Sequence, residues 1–163
     1  MKLWLLIDVD GVLNPDPMHS GSVPLAFEGQ EFEIHKIKPK GFPGAFNVGL
    51  TPKHGEWLLA MTDVFRLGWA TSWEHDANVH IGPKVGLPEL PVAEVGNRGY
   101  KVGGILDLVG NDPFVWLDDA ASEYEKHDLD VLHPSKHLVI DVNPRVGLTQ
   151  DDLRIARDWA LNR

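Results

Sequence analysis

Five apolar residues, Leu3-Trp4-Leu5-Leu6-Ile7, run without interruption into Asp8. A run that is apolar at every position suits a strand covered on both faces. It is too short for a secretory leader or a membrane span, and no other stretch is long enough to cross a bilayer. Apolar-rich segments at 64–70, 90–95, 114–117 and 137–142 predict four further strands, although Pro91 weakens the one at 90–95. Helices fit between them. Thr51 is an N-cap with Pro52 at the first helical position, and Trp57, Leu58, Met61 and Phe65 then recur at helical spacing. Residues 101–109 predict a helix that Gly110 ends, and 120–127 another. The last helix starts at Thr149, where Asp152 completes a capping box, and Leu153, Ala156, Trp159 and Ala160 form its apolar stripe. Such alternation predicts an α/β fold, a doubly wound parallel sheet of five strands in one domain over 1–163. Residues 14–50 break the pattern. Phe32 and Ile34 alternate with Glu31, Glu33 and His35, and a Pro- and Gly-rich turn follows at 39–44, which predicts a β-hairpin inserted after the first strand.

The polar residues fall where such strands end. The first strand closes in Asp8-Val9-Asp10-Gly11, the second in Thr71-Ser72, the fourth in Asp118-Asp119. Ligands of parallel sheets bind beyond the carboxyl ends of the strands, so the fold would gather these groups at one rim. Asp8 and Asp10 are two apart and face the same way in extended chain. Neighbouring strands lie about 4.8 Å apart, and two like charges at about 4 Å in a dielectric of about 20 cost roughly 4 kcal/mol. Such a cluster must take up a proton or hold a cation. Hard carboxylate oxygens without His or Cys suit Mg²⁺, whose open positions are commonly filled by phosphate oxygens. Each Asp read singly could instead cap a turn or a helix; the ordered set, each member after an apolar strand, favours a site.

Charge and composition narrow the chemistry. The formal net charge is −9, and Lys36, Lys38 and Lys40 sit beside Glu28, Glu31 and Glu33, so a nucleic-acid surface is not indicated. A phosphorylated substrate would be repelled at long range, which again calls for a cation at the site. There is no cysteine, which excludes disulfides, thiolate metal sites and thiol nucleophiles and agrees with a cytoplasmic protein. His133 and His137 straddle Pro134-Ser135 in a loop and make a poor zinc pair.

The residues at these strand ends resemble the motifs of the haloacid dehalogenase-like (HAD) superfamily, whose members are mostly phosphatases. Leu5-Leu6-Ile7-Asp8-Val9-Asp10-Gly11-Val12-Leu13-Asn14 is similar to the first motif, Leu67-Gly68-Trp69-Ala70-Thr71 to the second, Lys101 to the third, and Phe114-Val115-Trp116-Leu117-Asp118-Asp119 to the fourth. The resemblance spans residues 3–120 in the right order, and Val12 stands where the commonest pattern has Thr. It implies a strand order of 3-2-1-4-5 with the hairpin as a flap.

It also implies roles. Asp8 would be the nucleophile and form an aspartyl-phosphate; Asp10 would be the general acid and base. Thr71, with Ser72 as its alternative, would hold a phosphoryl oxygen. Lys101 would neutralise charge, with Lys84 and Arg98 as competitors for that position. Mg²⁺ would bind Asp8, the Asp10 main-chain carbonyl and Asp118, with Asp119 direct or through water. Asn14 and Trp73 are candidate substrate contacts. With only 14–50 available as an insertion, the site would be capless and open, which in the family goes with macromolecular substrates or a lid from a second subunit, so a homo-oligomer stays open. The function expected is a Mg²⁺-dependent phosphomonoester hydrolase, with a nucleotide slightly favoured as substrate. Two other readings use the same residues. One is a receiver-like phospho-acceptor module, which would need its acceptor Asp at the end of the third strand, where this chain has none. The other is a catalytically silent binding protein of the same fold.

Overall fold

The computed structural model describes residues 3–16 and 30–163. Part of the predicted insertion, 17–29, lies outside the described residues. In chain order the elements are β1 (Leu3–Ile7), β2 (Glu33–Ile37), β3 (Phe46–Leu50), α1 (Pro52–Leu59), β4 (Phe65–Trp69), α2 (Gly82–Val85), α3 (Val102–Val109), β5 (Phe114–Asp118), α4 (Glu123–Leu132), β6 (His137–Asp141) and α5 (Gln150–Asn162), with a π-helical turn, Ala77–Ile81, leading into α2. None of the helices described is long and apolar enough to cross a membrane.

The main sheet has four parallel strands in the order β4-β1-β5-β6. β1 is central and all five of its residues are buried, which is why it carries no polar side chain. Its pleat divides the core. Leu3, Leu5 and Ile7 pack on one face with Leu58 of α1, Val85 of α2 and Leu153 and Ala156 of α5. Trp4 and Leu6 pack on the other with Val102 and Ile105 of α3 and Leu129 of α4. The sheet is thus covered on both faces, as the sequence predicts. α1 lies close against α2 at Gly55, where a Cβ would overlap the Val85 carbonyl.

The expected fifth strand is reduced to a single bridge. Trp69 pairs with Val92, with Trp69 N–H donating to the Pro91 carbonyl at 2.9 Å and Ala93 N–H to the Trp69 carbonyl at 2.8 Å. In a parallel ladder the next rung, towards Leu67, would need the N–H of residue 91, and proline has none. The 3-2-1-4-5 order over five strands is therefore not formed; the segment 90–95 touches β4 where that order would place it and goes no further. Two helix boundaries also move. The helix expected at 120–127 starts instead after Ser122, whose side chain and Glu125 form a capping box, and it runs to Leu132, just short of Pro134. The turn and short helix at 77–85 had no counterpart in the sequence reading. The predicted hairpin is present: β2 and β3 pair antiparallel, Glu33 opposite Leu50 and Ile37 opposite Phe46.

Candidate functional site

Parallel register carries the polar residues to one end of the sheet. Ile7 stands level with Trp69 on one side and Leu117 on the other, so Asp8, Thr71 and Asp118 leave their strands side by side. The chain visits β4 on one flank of β1 and β5 on the other, and Asp8 and Asp118 flank that change of direction.

Asp8 is buried. Its Oδ1 accepts from Val9 N–H at 2.8 Å and its Oδ2 lies 3.2 Å from Lys101 Nζ. Lys101 Nζ also donates to Asp118 Oδ2 at 2.6 Å and to the Ala70 carbonyl at 3.1 Å, so one ammonium ties together β1, β4 and β5. Lys84 and Arg98, the competing cations, are exposed, and the ammonium between Asp8 and Asp118 is that of Lys101. Its main chain is held as well: Lys101 N–H donates to Glu125 Oε2 at 2.8 Å, and Glu125 is itself buried. Asp118 Oδ1 accepts from Ala120 N–H at 2.8 Å.

The electrostatics follow from burial. Loss of water pushes the Asp8 carboxyl well above the usual carboxylate range; Lys101 opposes this, and Asp118 and Asp10 reinforce it. Asp119, half-buried, is raised by loss of water and then by Asp118. Burial works against the Lys101 ammonium, yet Asp8 and Asp118 more than offset it and its pKa is raised. One cation thus faces several carboxylates. Oxygens of Asp8, Asp118 and Asp119 lie within 4.8 Å of one another. This all-oxygen donor set, short of positive charge, could hold a hard metal cation.

Gly11 permits the cluster. Its φ is +80°, and a Cβ there would overlap the Asp119 carboxylate. The backbone of β1's exit and the Asp119 side chain can approach only because nothing stands between them.

Asp10 lines the same hollow as this trio and is held by partners of its own. Its Oδ1 accepts from Asn14 Nδ2 at 3.0 Å and its Oδ2 from Trp73 Nε1 at 3.0 Å. Asn14, wholly buried, accepts from Gly49 N–H on β3 at 2.9 Å, so it links Asp10 to the hairpin. Thr71 is wholly buried and its Oγ1 accepts from Trp73 N–H at 3.2 Å; Ser72 is exposed and lines the hollow that Asp8, Lys101, Asp118 and Asp119 surround. That hollow measures 170 Å³. Trp69 and Trp116 are core residues, and His75 is an exposed partner of Glu94.

Sequence reasoning missed three participants. Glu125 was legible as the fourth residue of a Ser-x-x-Glu capping pattern, although its second bond, to Lys101, was not. Phe42 and Phe46, which border Asp10 from the hairpin, gave no local signal. No family model, curated protein or solved structure matches the chain.

Proposed function

We propose that the protein is a Mg²⁺-dependent phosphomonoester hydrolase of the HAD-like type, working through an aspartyl-phosphate on Asp8. The observation that carries this reading is the single ammonium of Lys101 set between Asp8 and Asp118, with Asp119 completing an acidic trio. An Asp, Lys and acidic-pair arrangement at the carboxyl end of a parallel sheet suits phosphoryl transfer, where positioning and charge neutralisation supply most of the catalysis.

Asp8, Asp118 and Asp119 would hold the ion, which supplies charge neutralisation for the phosphoryl oxygens when bound. Asp8 Oδ forms a bond to phosphorus as the bond from phosphorus to the ester oxygen breaks. Asp10 gives its proton to that leaving oxygen. A water then attacks phosphorus, Asp10 takes its proton, and inorganic phosphate leaves with Asp8 restored. Lys101 balances the charge of Asp8 and of the phosphoryl group throughout. Ser72, on the wall of the hollow, is better placed than Thr71 to donate to a phosphoryl oxygen; the buried Thr71 shapes the turn that presents it.

The test is turnover of p-nitrophenyl phosphate with Mg²⁺, with EDTA, and in Asp8→Asn. Activity that needs Mg²⁺ and disappears in Asp8→Asn is expected. An active Asp8→Asn protein, or turnover that EDTA leaves intact, would end the proposal.

A further inference from the structure

A second hollow adjoins the acidic one and shares Asp10 and Ser72 with it. Its volume is 220 Å³ and its walls are of different chemistry: Trp73 from the rim, Pro39, Phe42 and Phe46 from the hairpin. Phe42 and Phe46 stand edge to face, centroids 5.6 Å apart at 76°, yet remain 47% and 43% exposed. Two half-open phenyl rings and an indole thus frame a gap beside the group that would protonate the leaving oxygen.

Size and charge limit what fits. An apolar cavity of about 150 Å³ is enough to take up benzene, so 220 Å³ admits one ring or a fused pair. Aromatic walls favour a flat guest that can stack or meet them edge-on. Asp10 and Asp76 both border the gap, and Asp76 is fixed there by Lys40 N–H, which donates to its Oδ2 at 3.2 Å. Two carboxylates on the wall disfavour an anionic ring and admit an uncharged one with N–H groups to offer.

We propose that the hollow between Trp73 and the hairpin's Phe42 and Phe46 receives a flat, uncharged ring carried on the leaving-group side of the substrate. This rests on the phosphatase reading, since Asp10, common to both hollows with Ser72, would as the acid place the ester oxygen between them. Such a ring is found on an arylalkyl phosphate and on a nucleoside monophosphate alike.

The experiment uses esters matched in leaving-group reactivity, so that ring binding is not confused with chemistry. kcat/KM is measured with Mg²⁺ for benzyl phosphate against ethyl phosphate, and for adenosine 5′-monophosphate against ribose 5-phosphate. The ring-bearing member of at least one pair is expected to be preferred by tenfold or more, and the pair that responds identifies the source of the ring. In Phe42→Ala/Phe46→Ala, both positions being partly exposed, that preference should fall at least fivefold. Equal rates within both pairs, or a preference the double variant retains, overturn the proposal while leaving the phosphatase reading standing. If no ester is turned over, that reading fails by itself. The pocket is then judged by nuclear magnetic resonance saturation transfer to the ring protons of benzyl phosphate and adenosine. Transfer lost in the double variant supports it, and no transfer in the wild type overturns it.

Discussion

The indole N–H of Trp73 donates to Oδ2 of Asp10 across 63 residues of sequence, at 3.0 Å. With Asn14 on Oδ1, it fixes the plane of the carboxyl group that the proposed reaction uses as acid and base. Hydrogen bonds to charged groups contribute about 1.5–3 kcal/mol. Trp73→Phe keeps a ring in place and removes the donor, and kcat for ethyl phosphate should fall about tenfold or more with KM little changed. A kcat equal to that of the wild type would mean that Trp73 does not orient Asp10.

Lys101 is the only cation described between Asp8 and Asp118, with side-chain exposures of 15%, 9% and 3% for Lys101, Asp8 and Asp118. Removing one partner of a buried ionic group costs about 3–5 kcal/mol, because the opposing charges are left uncompensated. Lys101→Met should therefore melt well below the wild type in EDTA and abolish turnover. Added Mg²⁺ should raise its melting temperature by more than it raises that of the wild type, since the ion then supplies the missing positive charge. Thermal melts across a Mg²⁺ titration check this, and equal shifts in the two proteins would refute it.

Gly11 reports on the Asp119 carboxylate. In Gly11→Ala the positive φ costs about 1–2 kcal/mol, and the new methyl group displaces Asp119 from its place beside the exit of β1. Lower stability in denaturant and at least tenfold weaker Mg²⁺ binding by calorimetry are expected. Undiminished Mg²⁺ affinity would show that Asp119 takes no part in holding the ion.

His54, buried at the start of α1, sets an acid limit on stability. Burial lowers its pKa to about 4, against the opposing pull of the Leu148 carbonyl, which its Nε2 meets at 3.1 Å. The unfolded chain takes up this proton near pH 6.5 and the folded chain only near 4, so between these values the unfolded state binds more protons and stability rises with pH. The contribution is complete above 6.5 and is lost on acidification towards 4, a change of roughly 3 kcal/mol. Urea midpoints of the wild type should fall over this window by more than those of His54→Gln. Parallel curves would show that another group dominates.

Much of the architecture was legible because it rests on local rules. β1 reads as a doubly covered strand from five consecutive apolar residues, and α5 from its Thr149 and Asp152 cap, which the structure forms as expected. The acids at the ends of β1 and β5 could be placed at one rim from strand polarity alone. What escaped depends on contacts between distant segments. Whether 90–95 pairs along β4 turns on which N–H groups a rung requires, and Pro91 removes one. Neither the bond from Trp73 to Asp10 nor that from Glu125 to Lys101 has a periodicity to betray it. Thr71 and Ser72 are adjacent in sequence, and only the turn that buries one and exposes the other separates their surroundings.

The amide of Asn14 has a consequence for how the two parts of the molecule communicate. It spends its carbonyl on Gly49 and its amino group on Asp10, and it has no exposed surface. The β2–β3 ribbon and the Asp10 carboxyl are thereby tied to each other through one planar group. If Asp10 is the acid of the proposed reaction, the hairpin that would meet the leaving group and the carboxyl that would protonate it hang from one side chain that itself touches no solvent.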